Sequence, residues 1–200
     1  MAKVIKFPIP APEKFGPQRV RKKRGTNQPK SAQLNLFTSG KVVRLHQFTP
    51  FDEALLLDDQ GDKQRAKTGY LKAVEEGDSV ADALCNLAIL ECQDGHTAKA
   101  IDYFTQCLRH DPRHNEAHYN LANLYAEVGN FQLAKLHYEI AIEIEPTFTN
   151  SYFNLGLTLA MGKDFKEAVR VLRKYRTLSP HENHQQTDEL LQKLSSTFMQ

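Results

Sequence analysis

Three prolines fix the architecture before anything else in the chain does. Pro112, Pro146 and Pro180 are separated by 34 residues and then by 34 again. Other positions keep the same step. Asn86-Leu87-Ala88 recurs as Asn120-Leu121-Ala122 and as Asn154-Leu155-Gly156. Gly95 recurs as Gly129, with Gly162 one residue off register. Ala100, Ala134 and Ala168 follow, then Phe104, Tyr138 and Leu172, then Cys107, Ala141 and Tyr175. A fixed period of this length means stacked supersecondary units rather than one globular core.

Within each unit the apolar spacing is helical. Leu84, Leu87, Ala88 and Glu91 fall at i, i+3, i+4 and i+7, as do His118, Leu121, Ala122 and Tyr125. A glycine-containing turn leads to a second run, with Ala98, Ile101, Phe104 and Leu108 in the first unit. Thr97 and Asp164 occupy expected N-cap positions, and each proline ends its second helix by forcing the preceding residue out of the α region. The repeated alanines let paired helices approach, and the larger residue one turn on fills the space. Period, small/large alternation, turn glycine and closing proline resemble the tetratricopeptide-repeat family over residues 81–180. The family's leading tryptophan is replaced by Leu84, His118 and Tyr152, and its first-helix tyrosine by Glu91 and Leu159 in the first and third units.

The resemblance implies an all-α fold: a tetratricopeptide-repeat superhelix of about four helix pairs with a C-terminal capping helix and a disordered N-terminal arm. The expected divisions are an arm at 1–46, an array at 47–180 and a cap at 181–200. The array splits into a degenerate unit at 47–80 and units at 81–114, 115–148 and 149–180. Gly61, Ala66, Tyr70 and Ala73 carry the register into the degenerate unit, where Asp78 replaces the closing proline. Leu190, Leu191, Leu194 and Phe198 give the amphipathic cap that a solenoid end requires.

Such an array implies a groove lined by the first helix of each pair. Asparagine is unfavourable inside helices, so Asn86, Asn120 and Asn154 in register require a reason. Two readings stand: a ladder of amides that donates to and accepts from an extended peptide backbone, or bonds between neighbouring units. The other expected groove residues are Asp82 and Ile89, then Glu116, Tyr119, Asn123 and Glu127, then Phe153 and Leu157. Phe51, Leu55 and Asp59 would precede them. The groove is acidic in its first half and more apolar later. It has no Lys or Arg cluster of the kind with which chaperone-binding members of the family clamp an acidic tail. The implied ligand is a peptide with basic and apolar side chains.

Charge is segregated. The whole chain has 26 Lys and Arg against 24 Asp and Glu. Residues 1–46 hold eleven basic residues against Glu13 alone, a net +10, which leaves −8 on residues 47–200. Six of nine prolines lie at or before Pro50. Arg19, Arg21, Lys22, Lys23 and Arg24 form the densest basic patch. It is read as a solvated tail, as a salt-dependent nucleic-acid backbone contact, or as an arm that docks into the acidic groove. Gln33-Leu34-Asn35-Leu36-Phe37 resembles the short peptide by which bacterial proteins dock on the DNA-polymerase sliding clamp. The array is also similar to the repeat half of bacterial MerR-type fusion proteins, without their helix-turn-helix.

Catalysis and metal binding lack residues. His110, His114 and His118 are interrupted by Pro112, no phosphate-binding glycine loop occurs, and no histidine is placed in register beside Cys85, Cys92 or Cys107 as a base. Three sparse cysteines suit a reducing compartment. No apolar run approaches the ~18 residues of a membrane span. The expectation is therefore a cytoplasmic, non-enzymatic protein–protein interaction scaffold with no cofactor, no metal and no membrane contact. The alternative is an accessory DNA-transaction factor acting through the arm.

Overall fold

The computed structural model describes residues 16–20, 48–179 and 184–198. Among them are nine α-helices and no strand: α1 (Pro50–Asp59), α2 (Lys63–Glu75), α3 (Val80–Gln93), α4 (Thr97–His110), α5 (Asn115–Glu127), α6 (Phe131–Ile144), α7 (Thr149–Met161), α8 (Phe165–Leu178) and α9 (Gln185–Phe198). The chain divides into two compact units. One is Arg19–His110, containing α1–α4. The other joins residues through Gln18 to Asp111–Gln200, containing α5–α9.

In the Arg19–His110 unit, α1 packs on α2, α2 on α3 and α3 on α4. Pro50 stands in the first turn of α1, where its missing N–H costs nothing. Thr49 caps that helix in a capping box with Asp52. Asp78, at the place of the closing proline, accepts the Phe51 N–H at 2.9 Å. The core holds Phe51, Ala54, Ala66, Tyr70, Ala73, Ala83, Leu87 and Leu90. Gly69 lets α1 and α2 close up, because a Cβ there would lie 2.8 Å from Ala54 Cβ.

Glu91, at the family's tyrosine position, is buried and meets Lys67 Nζ at 2.8 Å, Lys99 Nζ at 3.1 Å and His96 Nδ1 at 2.7 Å. Burial alone would push its carboxyl up. The three donors outweigh burial and bring it down to about 2. The departure from the family pattern thus replaces an aromatic packing contact with a charged one.

In the other unit, α5 packs on α6, α6 on α7, α7 on α8, and α9 covers α8. Leu190, Leu191 and Leu194 of α9 are buried. Small residues sit opposite large ones as the register requires. Tyr138 and Leu172 are fully buried, as are Ala122, Ala134 and Ala168. Gly156 gives way to Leu172, whose Cγ and Cδ2 lie 2.6 Å from where a Cβ would stand. Burying each such large side chain contributes about 2–3 kcal/mol.

Two local expectations change. Thr97 is the first residue of α4 rather than its cap; the cap register passes through His96, Asn130 and Asp164, and the last two accept N–H groups from Leu133 and Glu167. The turn between paired helices needs a left-handed residue, supplied by Gly95 and Gly129, each at φ +79°. In the third unit the same position is Lys163, at φ +67°. Gly162 keeps an ordinary negative φ of −75° and does not serve the turn.

Candidate functional site

The first helices α3, α5 and α7 are buried along most of their length, and their asparagines are buried with them: Asn86 and Asn154 fully, Asn120 nearly so. A buried amide left unpaired costs about 1–3 kcal/mol, so each needs partners on both its oxygen and its nitrogen.

In the Arg19–His110 unit, the partner of Asn86 is Val20 of the arm. The Val20 N–H donates to Asn86 Oδ1 at 3.0 Å, and Asn86 Nδ2 donates to the Val20 carbonyl at 3.1 Å. One amide therefore satisfies both backbone groups of a single residue. Asn86 Nδ2 also lies 3.2 Å from the Tyr70 hydroxyl, which donates to Asp58 Oδ2 at 3.3 Å. Asp58, almost fully buried, meets the Arg19 guanidinium at 3.1 Å, and Arg19 Nη1 also donates to the Asp58 carbonyl at 3.4 Å. Asp59 is more distant from Arg19, at 3.9 Å. Burial pushes the Asp58 carboxyl up, and Arg19 opposes that rise. The Val20 side chain is buried, with only 5% of the residue exposed.

In the Asp111–Gln200 unit, Asn120 treats Gln18 in the same way. The Gln18 N–H donates to Asn120 Oδ1 at 2.9 Å and Asn120 Nδ2 donates to the Gln18 carbonyl at 2.8 Å. The Tyr119 hydroxyl donates to the Gly16 carbonyl at 3.3 Å. Tyr119 is fully buried between the rings of Tyr138 and Phe148, and burial pushes its hydroxyl up to about 12, so it stays a donor. Asn154 Nδ2 donates to Tyr119 Oη at 3.0 Å and to Asn123 Oδ1 at 2.7 Å. Tyr138 Oη donates to Asn123 Oδ1 at 2.5 Å, and the buried Asn123 Nδ2 has no partner among the described residues. The two readings of the asparagine series thus both occur. Asn86 and Asn120 hold backbone, while the amide nitrogens of Asn86 and Asn154 also bond to the preceding helix pair.

The remaining expected residues divide by burial. Ile89, Phe153 and Leu157 are buried, and Phe153 packs on Tyr175 with ring centroids 5.1 Å apart. Asp82 and Glu116 are partly exposed and Glu127 is exposed. Sequence reasoning placed Asp59 on this face and missed Asp58, which pairs with Arg19. It also missed Gln18 and Val20, whose main chain, rather than side-chain type, makes the contact. Arg21, Lys22, Lys23 and Arg24, and the clamp-like segment Gln33–Phe37, lie outside the described residues.

Two histidines pair elsewhere on this unit. His118 Nδ1 and His137 Nδ1 are 2.9 Å apart, and His137 stacks on Tyr125 at 5.6 Å. Burial, then the neighbouring His118, pushes His137 down to about 4. No cluster of three or more His, Cys, Asp or Glu able to hold a metal occurs among the described residues. No helix among them is long and apolar enough to cross a membrane.

Family models described as tetratricopeptide repeat match residues 81–114, 116–148 and 150–181. The chain is a tetratricopeptide-repeat protein. Among solved structures, this tetratricopeptide-repeat protein is similar to MamA from Desulfovibrio magneticus RS-1, at 17% identity and a TM-score of 0.63, over 75% of this chain and 89% of that one. It is also similar to the first tetratricopeptide domain of Spaghetti (RPAP3) bound to the HSP90 peptide SRMEEVD. There identity is 21% and the TM-score 0.56, over 60% of this chain and 94% of that one. At these identities the likeness is one of fold. A curated relative is the human protein O-mannosyl-transferase TMTC3, 33% identical over 114 residues, which is 55% of this chain and 12% of that protein. The chain thus spans about an eighth of that relative's length.

Proposed function

We propose that this tetratricopeptide-repeat protein is a non-enzymatic adaptor that grips an extended segment of a partner protein through its main chain. The observation that carries the reading is the double hydrogen bond made by Asn86 to Val20 and by Asn120 to Gln18. An amide that bonds both the N–H and the C=O of one residue recognises any residue except proline, which lacks the N–H. Each unit makes one such pair, Asn86 with Val20 in one and Asn120 with Gln18 in the other. Tyr119 and the unpartnered Asn123 Nδ2 supply further polar groups beside Asn120. Asp82 and Ile89 belong to the unit of Asn86, and Glu116, Glu127, Phe153 and Leu157 to the unit of Asn120; these are the further proposed peptide-binding residues of each unit, and a basic, apolar peptide is the ligand class their charge favours. The cytoplasmic location and the likeness to MerR-type fusion proteins rest on the sequence alone. No observation in the structure favours the DNA-transaction alternative.

The test uses the full chain with Gln18→Pro and Val20→Pro, which removes both N–H groups through which the arm is held. A labelled peptide of sequence 14–23 is titrated into it by fluorescence anisotropy. The native peptide binds, and N-methylation of its Gln18 or Val20 equivalent weakens binding at least ten-fold. Equal binding of the N-methylated and native peptides would refute main-chain recognition.

A further inference from the structure

The strongest feature that the amide pairing leaves unexplained is Asp58. A carboxylate almost wholly out of water is costly unless a cation and hydrogen bonds compensate it. Its side chain is 1% exposed. Among the described residues, the cation at ion-pair distance from it is Arg19, which belongs to the arm and not to the repeats. Tyr70, fixed between Asp58 and Asn86, orients the carboxylate toward the same place where Asn86 holds the next arm residue. Arg19 Nη1 reaches both the Asp58 side chain and its main-chain carbonyl. Val20, one residue on, is an apolar side chain only 5% exposed. Arginine suits such a site because its guanidinium stays charged and carries several N–H donors.

We infer that Asp58, Tyr70 and Asn86 form a specificity site for an Arg–Val-type dipeptide, an arginine followed by a β-branched apolar residue, in a partner protein. Arg19-Val20 of the arm occupies this site as a ligand mimic. The inference rests on the main-chain reading above and adds the side-chain chemistry that selects the partner. Asn86 fixes the register by holding the apolar residue's backbone, and Asp58 then admits arginine at the position before it. A partner carrying this dipeptide displaces the arm, so the arm sets a threshold that weaker ligands do not cross.

The experiment again uses the full chain carrying Gln18→Pro and Val20→Pro, with labelled peptides of sequence 14–23. Replacing the peptide's Arg19 equivalent by Ala weakens binding at least ten-fold, and replacing its Val20 equivalent by Asp does the same. Adding Asp58→Asn to the protein removes the difference between the Arg and Ala peptides. Because that substitution touches a buried position, the peptide series on the Asp58 protein decides the question by itself. Arg and Ala peptides within two-fold of each other overturn the inference. If the Ala peptide still loses binding on N-methylation, main-chain recognition survives that failure. If N-methylation has no effect while the Arg-to-Ala change does, the main-chain reading fails instead. Light scattering separates the remaining source of this dipeptide, the arm of a second copy. The unmodified chain stays monomeric, and a dimer that dissociates on adding the peptide would overturn the assignment to a partner protein.

Discussion

Replacing Asn86 by alanine isolates the contact on which the functional reading depends. The substitution deletes two hydrogen bonds to Val20, at 3.0 and 3.1 Å, from a side chain with no exposed surface. A neutral hydrogen bond contributes about 1 kcal/mol net, so the pair contributes about 2 kcal/mol to holding Val20. At 1.4 kcal/mol per factor of ten, that corresponds to about a 30-fold loss of protection. Amide hydrogen exchange followed by NMR on the full chain reads this directly, because the Val20 N–H is itself the donor. The Val20 amide exchanges about 30-fold faster in Asn86→Ala, while Gln18, bonded to Asn120, changes less. Asn86→Asp falls between, since a carboxylate still accepts the N–H but cannot donate to the carbonyl. Tyr70 keeps its bond to Asp58, so a circular-dichroism melt distinguishes loss of the arm from loss of the fold. A Val20 amide that exchanges at the free-peptide rate in the unmodified chain would refute the reasoning.

Three further outcomes follow from the packing. Gly69→Ala puts a Cβ 2.8 Å from Ala54 Cβ and 3.2 Å from its Cα. Overpacking costs about 1–3 kcal/mol and exceeds the ~1 kcal/mol helix gain, so the melting temperature falls; a rise would show that α1 moves aside freely. Lys163→Gly relieves a left-handed lysine worth about 1–2 kcal/mol at a chain-entropy cost of about 0.4–1 kcal/mol. Chemical denaturation should therefore show a gain of about 0.5–1 kcal/mol, and a loss would mean that the lysine side chain holds the turn. His137, pushed from 6.5 down to about 4 in the folded chain, binds its proton less readily folded than unfolded. Its contribution is therefore present above pH ~6.5 and is lost as pH falls toward 4. His137→Gln flattens that stretch of a stability-versus-pH curve, and an unchanged curve would place the acid sensitivity elsewhere.

The repeat architecture was legible because it is local and periodic. Ala122 against Tyr138 and Gly156 against Leu172 are pairs within one helical hairpin, restated every 34 residues, so the sequence displays the same packing rule several times. The asparagine series was legible for the same reason. Its use was not. Asn86 and Asn120 meet residues 66 and 102 positions away, contacts that occur once each and leave no period. They are also contacts to main chain, which carries no sequence signature.

Register alone could not choose Asp58 over Asp59, since adjacent acidic residues on a helix point about 100° apart and only packing decides which faces Arg19. For the last turn, register points to position 163 while residue type points to Gly162, and the hydrogen bonds closing α7 place the left-handed residue at Lys163. The 34-residue period is enough to dictate stacked helix pairs with small and large interfaces, and the charge distribution enough to separate an acidic body from a basic arm. Tertiary structure decided which carboxylate and which amides meet that arm, because burial concentrates an electrostatic and hydrogen-bonding choice on the few groups that water no longer reaches.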